Sequence, residues 1–547
     1  MRKLFYLLTL TVISYSCSEE NKTFLASEVH IVPRPSELIL GQSSFAFEKG
    51  QTIAVQDASL EATAHYLMGI ISETTKLNLK KSDNDSATIK LTKMDGLAPE
   101  AYELHINPKQ IEIKANDGAG YFYAVQSLRQ LLTQHQTAAN YKTQWLLPSV
   151  AITDAPKFGW RAYMLDEARY FQGEVFVKRM LDQMALLKMN TFHWHLTDDA
   201  GWRMEIKKYS KLTEIGSKRT DSEIGTWKSG KLAGEAHSGF YTQEQIKDIV
   251  AYATALHITI VPEFEMPGHA SSAIASYPWL GTADAPIAVP ILFGRHYDNY
   301  DVSKPEVKQF VKDVLTEMFE LFPSEVIHIG GDEVGYKVWE ESEHVKKYMK
   351  ETNIKTPADL QIRFTNDISK FIEQNGRRMM GWNEIMGVNV HTDFEEKKDD
   401  IAAETELAKN VVVHFWKGEL DLLSAAAQKG YGIVNSLHSN TYLDYSYENI
   451  SLEKAYNFNP IPQGLDKKYH SNIYGLGCQM WGEWTPTTKE VEYQTFPRIA
   501  AFAEVGWTQP EQKDFENFKI GLGKLQVHWD TLGINYAKVL ESTKGQE

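Results

Sequence analysis

The sequence predicts a (β/α)8 barrel (TIM barrel) preceded by a small α+β domain, and three observations carry that expectation. From Trp160 onward, short apolar runs suited to buried strands end near Asp166, Leu196, Met266, Glu333, Glu384, Trp416, Asp444 and Glu483. Between several of them lie longer stretches of helical periodicity, from about Val175 to Leu187, Gln245 to Leu256, Val307 to Phe322 and Leu360 to Ile372. Eight strand-then-helix units over about 350 residues suit a barrel with enlarged loops. A doubly wound sheet is the alternative, but it favours a glycine-rich phosphate turn after its first strand, and Leu165-Asp166-Glu167 offers none.

Taken in order, the chain begins with Arg2 and Lys3 ahead of an apolar run from Leu4 to Ile13. That run is shorter than the roughly 20 residues that span a bilayer and has the length of a signal-peptide core. Ser16 then precedes Cys17, as in bacterial lipoprotein signals, so residues 1–16 read as a signal peptide and 17–27 as a lipidated Cys and tether. This places the chain in the bacterial cell envelope as an outer-membrane lipoprotein, periplasmic or surface-exposed, touching the membrane only through the lipid on Cys17. The acidic Ser18-Glu19-Glu20 reads either as an export tag or as a solvated linker. With Cys17 lipidated, Cys478 is the only free thiol, which excludes an internal disulfide and a Cys cluster for zinc.

The α+β domain covers 28–153. Tyr102, Leu104 and Ile106 alternate with polar residues, Asn107-Pro108-Lys109 turns the chain, and Ile111 and Ile113 resume the alternation, which predicts a hairpin. Asp117 then caps a helix from about Gly120 to Leu132, whose Tyr121, Ala124, Val125 and Leu128 share one face. The barrel covers 154–508, and 509–547 reads as a helical extension.

Composition narrows the function. Of 547 residues, 43% are apolar and 24% charged, a mix that builds an ordinary core. The formal net charge of −15 repels phosphate backbones at long range, which argues against a nucleic-acid partner. Aromatic residues reach 12%, and flat amphipathic rings stack well on sugars.

In a barrel the chemistry sits at the C-terminal ends of the strands. The fourth run, Val326-Ile327-His328-Ile329-Gly330-Gly331-Asp332-Glu333, ends in adjacent carboxylates, whose repulsion favours one protonated acid near neutral pH. An isolated Asp-Glu pair also serves as a helix cap, but other strand ends are equally polar. Arg161 opens the first run, with Asp166 and Arg169 after it; the second carries His193-Trp194-His195 and then Asp198-Asp199-Ala200-Gly201-Trp202-Arg203; the third ends Pro262-Glu263-Phe264-Glu265-Met266-Pro267-Gly268-His269. Later ends pair an aromatic ring with an acid: Trp382 with Glu384, Trp416 with Glu419, Tyr442 with Asp444, Trp481 with Glu483. Indole walls over acids suit a neutral sugar with a small apolar substituent.

These stretches together resemble family 20 glycoside hydrolases, the exo-acting β-N-acetylhexosaminidases, and the resemblance covers about 155–508 and the kind of domain before it. Glu265 and Ala200 depart from the usual Asp and Gln of that family. The resemblance implies retaining, substrate-assisted hydrolysis that removes a terminal β-linked N-acetylhexosamine (GlcNAc or GalNAc) from a glycan without a cofactor or metal. It makes Glu333 the general acid/base, Asp332 the group orienting the acetamide nitrogen, and Tyr442 the donor to the acetamide oxygen. Trp382, Trp416 and Trp481 enclose the acetamido methyl and the sugar face; Arg161, Asp444 and Glu483 bind the sugar hydroxyls; Asp198 and His269 support Glu333. Two rival readings belong to other classes. One is a metal-dependent hydrolase built on His193, His195, His269 and Asp332, since His-x-His on a strand places both rings on one face. The other is a non-catalytic glycan-binding surface lipoprotein, against which the presence of both Asp332 and Glu333 argues.

Overall fold

The computed structural model describes residues 22–82, 86–133, 145–283, 285–294, 296, 298–388 and 403–538. The expected signal segment and Cys17 lie outside the described residues. Among the described residues no helix is long and apolar enough to cross a membrane.

The first domain is a mixed sheet of seven strands, Glu37–Phe47, Thr52–Val55, Lys80–Lys81, Ile89–Lys93, Tyr102–Asn107, Gln110–Ala115 and Trp145–Asp154, arranged 1-7-5-6-4-2-3. The hairpin forms where the alternation predicts it, with Asn107 opposite Gln110. Asn107 Oδ1 accepts from the backbone N–H of Lys109 and of Gln110, the side-chain bond that makes Asn a turn residue. Asp117 Oδ1 accepts from Gly120 N at 2.7 Å and so caps the helix Gly118–Thr133. That helix is buried on more than the one expected face: Phe122 and Tyr123 are as buried as Tyr121, Ala124, Val125 and Leu128. Even its polar Gln126, Ser127 and Gln130 are buried, so the helix is enclosed on nearly every side. Here the sheet covers one side and the barrel the other, where Tyr123 meets Trp507 edge to face and Gln130 Nε2 donates to Leu186 O.

The barrel closes from eight parallel strands: Trp160–Asp166, Thr191–His195, Thr259–Glu263, Val326–His328, Arg378–Trp382, Val411–Phe415, Gly432–Asn435 and Ile473–Met480. The predicted helices appear between them as Glu174–Leu186, Gln243–Ala255, Pro305–Leu321 and Pro357–Gln374. The seventh strand is a correction. It stops at Asn435 rather than Asp444, because Asn435 Oδ1 accepts from Leu437 N while its amide donates to Pro460 O, turning the chain into a short helix, His438–Thr441. Tyr442 then returns to the barrel wall beside Gln479. A C-terminal helix, Phe515–Leu532, seats Trp529 against Gln183 of the first barrel helix.

A charged seam joins the two domains. Lys188 and Asp154, both fully buried, pair at 2.9 Å, and Asp154 also accepts from Tyr102 Oη and Trp507 Nε1. Arg161 belongs to this seam. It lies at the start of the first barrel strand, so its side chain serves the domain boundary at the end of the barrel opposite the site.

Candidate active site

A cavity of about 200 Å³ opens at the C-terminal ends of the strands and is lined by Arg169, Trp227, His269, Gly294, Asp332, Glu333, Trp416, Tyr442, Asp444, Tyr445, Trp481, Glu483 and Trp484. Eight of the predicted site residues are therefore gathered in one place: Asp332, Glu333, His269, Trp416, Tyr442, Asp444, Trp481 and Glu483. A larger cavity, about 590 Å³, lies at the opposite end between barrel and first domain, away from every predicted catalytic group.

The acidic pair is delivered by a turn that few residues can make. Gly330 and Gly331 have φ of 65° and 91°, and a Cβ on Gly330 would fall 1.7 Å from Glu265 Oε2. Glu333 itself sits at φ 49° and His269 at φ 48°, left-handed conformations that non-glycine residues adopt at a cost. Both strained residues face the same point: His269 Nε2 is 3.7 Å from Asp332 Oδ2 and 3.7 Å from Glu333 Oε2.

Behind them runs a chain of paired charges. His269 Nδ1 lies 3.3 Å from Asp198 Oδ1 and 3.3 Å from Asp199 Oδ2; Asp198 Oδ2 pairs with Arg169 Nη2 at 2.9 Å and with His195 Nε2 at 3.0 Å. Burial by itself lowers the His269 pKa, but Asp198 and Asp199 hold it well above the ordinary value, so the ring facing the acids is a cation. Burial works on Asp198 in the opposite sense, and Arg169 with His269 keeps it well below the carboxylate range. Asp332 is pushed up to about 7, by burial first, with the His269 charge opposing and Glu384 and Glu333 adding to the rise. Burial and then Glu483 push Asp444 well up. Asp332 Oδ1 and Asp444 Oδ1 are buried with no hydrogen-bond partner among the described residues. Such atoms on a cavity wall await a ligand's donors.

The aromatic walls are held by their own polar edges. Trp416 stacks parallel to Tyr442 with centroids 6.0 Å apart, and its Nε1 donates to Glu384. Trp481 stands 5.9 Å from Tyr442 and 5.8 Å from Trp382. Trp382 is only 1% exposed and forms the layer beneath, its Nε1 donating to Glu263 Oε1 at 2.9 Å. Asp198 likewise stands behind the wall, reaching the cavity through His269 and Arg169.

Arg161 is not part of this site, which corrects the expectation that it binds sugar hydroxyls. Its guanidinium is buried against Glu100, Tyr123 Oη and the carbonyls of Phe158 and Lys188. Arg169 stands at the cavity instead, three residues after Asp166, to which it bonds. The signal was available, since Arg169 follows the C-terminal end of the first strand whereas Arg161 opens it. Trp227, Tyr445 and Trp484 were also left unassigned; Trp484 meets both Trp227 and Phe293 edge to face at the cavity mouth.

Three groups among the described residues are close enough to hold a cation: His193, Glu263 and His328; His195, Glu263 and Glu265; Asp198, Asp199 and His269. Each contains one of the four residues of the metal reading, so that quartet is not gathered at one point.

Known proteins resemble this chain across both domains. The sequence matches the family described as glycosyl hydrolase family 20, catalytic domain, over residues 158–510, and domain 2 of the same family over 28–155. A β-hexosaminidase of Porphyromonas gingivalis is 33% identical over 542 residues, covering 95% of this chain and 66% of that protein. One from Vibrio furnissii is 32% identical, covering 88% of this chain and 77% of the other. Among solved structures, the β-N-acetylhexosaminidase of Bacteroides fragilis superposes with a TM-score of 0.80 at 28% identity, over 95% of this chain and 99% of that one. The exo-β-N-acetylglucosaminidase of Vibrio harveyi, solved with N-acetylglucosamine, gives 0.80 at 28% identity, over 95% and 80%.

Proposed function

This chain belongs to glycosyl hydrolase family 20 and is a β-hexosaminidase, and from that premise we propose how its residues divide the work of releasing a terminal β-linked N-acetylhexosamine. The observation that carries the reading is the pairing of Asp332 with Glu333 under one histidine cation, beside a cavity walled by aromatic rings.

Two neighbouring carboxylates cannot flank one glycosidic bond as acid and nucleophile, but they can serve an internal nucleophile and its leaving group. Asp332 Oδ1 accepts from the acetamide N–H and its charge stabilises the developing oxazolinium. Tyr442, whose pKa burial raises well above the phenol range, stays protonated and donates to the acetamide oxygen, aiming it at the anomeric carbon. As that oxygen bonds to the carbon, the glycosidic C–O bond breaks and Glu333 gives its proton to the departing oxygen. Glu333 then takes a proton from water, which attacks the anomeric carbon and reopens the ring; this is the substrate-assisted exception to the two-carboxylate scheme. Trp416 and Trp481 wall the acetamido methyl over Trp382, and Asp444, Glu483 and Arg169 meet the sugar hydroxyls.

Matched aryl β-N-acetylglucosaminide and aryl β-glucoside substrates test this. The glucoside lacks the internal nucleophile and forfeits several kcal/mol of proximity advantage, so its kcat must collapse, not merely its KM rise. Comparable kcat values would mean that a protein carboxylate is the nucleophile. We further propose attachment to the bacterial outer membrane through a lipid on Cys17, supported by Arg2, Lys3 and the apolar run from Leu4 to Ile13. Palmitate labelling that survives replacement of Cys17 by Ala would end that proposal.

A further inference from the structure

Four side chains converge on one carboxylate inside the barrel. Glu263, fully buried at the end of the third strand, accepts from His195 Nδ1 and from Trp382 Nε1, and lies 2.9 Å from His193 Nε2 and 2.8 Å from His328 Nδ1. The charge of Glu263 also acts on His414, Glu265 and Asp332, which face it from neighbouring elements. A packed core has no need of such an anion, because well-packed apolar residues replace buried ion pairs at little or no cost.

The two hydrogen-bonded partners lead to different parts of the site. Through Trp382, Glu263 reaches the aromatic wall: that indole lies 5.8 Å from Trp481 and 6.5 Å from Trp416, and His414 stacks on its far side at 4.1 Å and 17°. Through His195, Glu263 reaches the acids: His195 Nε2 bonds Asp198, Asp198 faces His269, and His269 faces Asp332 and Glu333. We propose that Glu263 is a positioning residue that ties the wall holding the acetamide to the charge chain behind Asp332 and Glu333, so that neither can shift without the other. This rests on the roles assigned to Asp332 and Glu333 above. The charges agree with it: burial opposes ionisation of Glu263, yet His328, His195 and His193 hold its pKa well below the carboxylate range. Burial likewise disfavours a charged His195, but Glu263 and Asp198 raise it to about 10.

The test combines Glu263→Gln with a cycle between His195→Asn and Trp382→Phe, read by kcat and KM against pH and by calorimetric affinity for an oxazoline-mimicking thiazoline. Glu263→Gln should lower kcat and weaken thiazoline binding, each about tenfold, and move the acid limb of the pH profile. Trp382→Phe alone should weaken the thiazoline without moving that limb. In the cycle the two single losses in thiazoline affinity should multiply to a value differing from the double variant's by about fivefold or more, the range of coupled neighbours. A Glu263→Gln protein with native near-ultraviolet dichroism, an unmoved pH profile and unchanged thiazoline affinity would overturn the proposal. Should that variant fail to fold, single effects that multiply within about twofold would overturn it instead. The outcome is separable from the assignment of Glu333, since thiazoline binding needs no turnover, whereas that assignment falls if Glu333→Gln still cleaves poor leaving groups.

Discussion

Arg161 clasps Glu100 with both ends of its guanidinium, Nη1 to Oε2 at 2.8 Å and Nη2 to Oε1 at 3.2 Å, across the boundary between barrel and first domain. The arginine is 1% exposed, and the carbonyls of Phe158 and Lys188 take two more of its donors. Replacing it with Leu leaves those carbonyls without these donors and Glu100 without its cation, still held by Asn190 and Tyr123. The expected cost is about 3 to 5 kcal/mol of stability, the scale for removing one member of a buried pair. Denaturant unfolding should show that loss while KM, measured where the variant is folded, stays put. A raised KM with unchanged unfolding would return Arg161 to the sugar site.

Arg169 should behave in the reverse way. It pairs with Asp166 and Asp198, lies 3.9 Å from Glu483, and sits beneath the Trp481 ring at 5.1 Å. Arg169→Ala removes the cation that Asp166 and Asp198 share at the cavity wall, and kcat/KM should fall by about 10²-fold or more, as when one member of a buried charge pair is truncated. Lysine, with no planar fork to span Asp166 and Asp198 at once, should recover little of that loss. Steady-state kinetics on an aryl N-acetylglucosaminide checks both variants.

What the sequence disclosed and what it concealed follow from range. Strand and helix periodicity are local, so the hairpin at Asn107, the cap at Asp117 and the barrel strands other than the seventh could be read from neighbours along the chain. The gathering of Asp332, Tyr442 and Trp481 was legible because a barrel aligns every strand's C-terminal end. Only the family resemblance assigns Arg161 to the sugar; its place at the start of a strand already points to the other end of the barrel, and its partners there, Glu100 and Tyr123, come from another domain and so lie beyond any local pattern. The seventh strand is expected to end near Asp444 but ends at Asn435, whose side-chain bonds to Leu437 N and Pro460 O no apolar pattern reveals. Trp227 lies on a long loop between strands, and nothing local tells which way such a loop folds.

Glu333→Gln keeps the shape and removes the proton. General acid catalysis contributes about 10² to 10⁴ in rate, so hydrolysis of a poor leaving group should fall by that factor. An activated phenol, which departs without a proton, should lose far less in the first step. Rates across a series of aryl glycosides of graded leaving-group pKa therefore steepen in the variant. Equal loss across the series would deny Glu333 the role of acid.

Asp332 joins activity and stability through one proton. Its pKa is pushed up to about 7, by burial before all else, while the His269 cation opposes the rise. The mechanism needs the carboxylate, so kcat/KM of the free enzyme should drop as pH falls below about 7, and Asp332→Asn should be slow throughout and lack that limb. Stability runs the other way. The folded chain keeps this proton up to about pH 7, while the unfolded chain releases it near 3.8, so between those values the unfolded state gains as pH rises. Above about 7 the penalty is fully present. Asn carries no charge to bury, so Asp332→Asn should unfold at a higher temperature than the parent at pH 8 and at nearly the same temperature below pH 4. A variant that loses turnover yet gains thermal stability only at the higher pH would show that the site holds an ionised Asp332 against its own folding preference. A drop in unfolding temperature at pH 8 would show that the carboxylate is instead a net support of the fold.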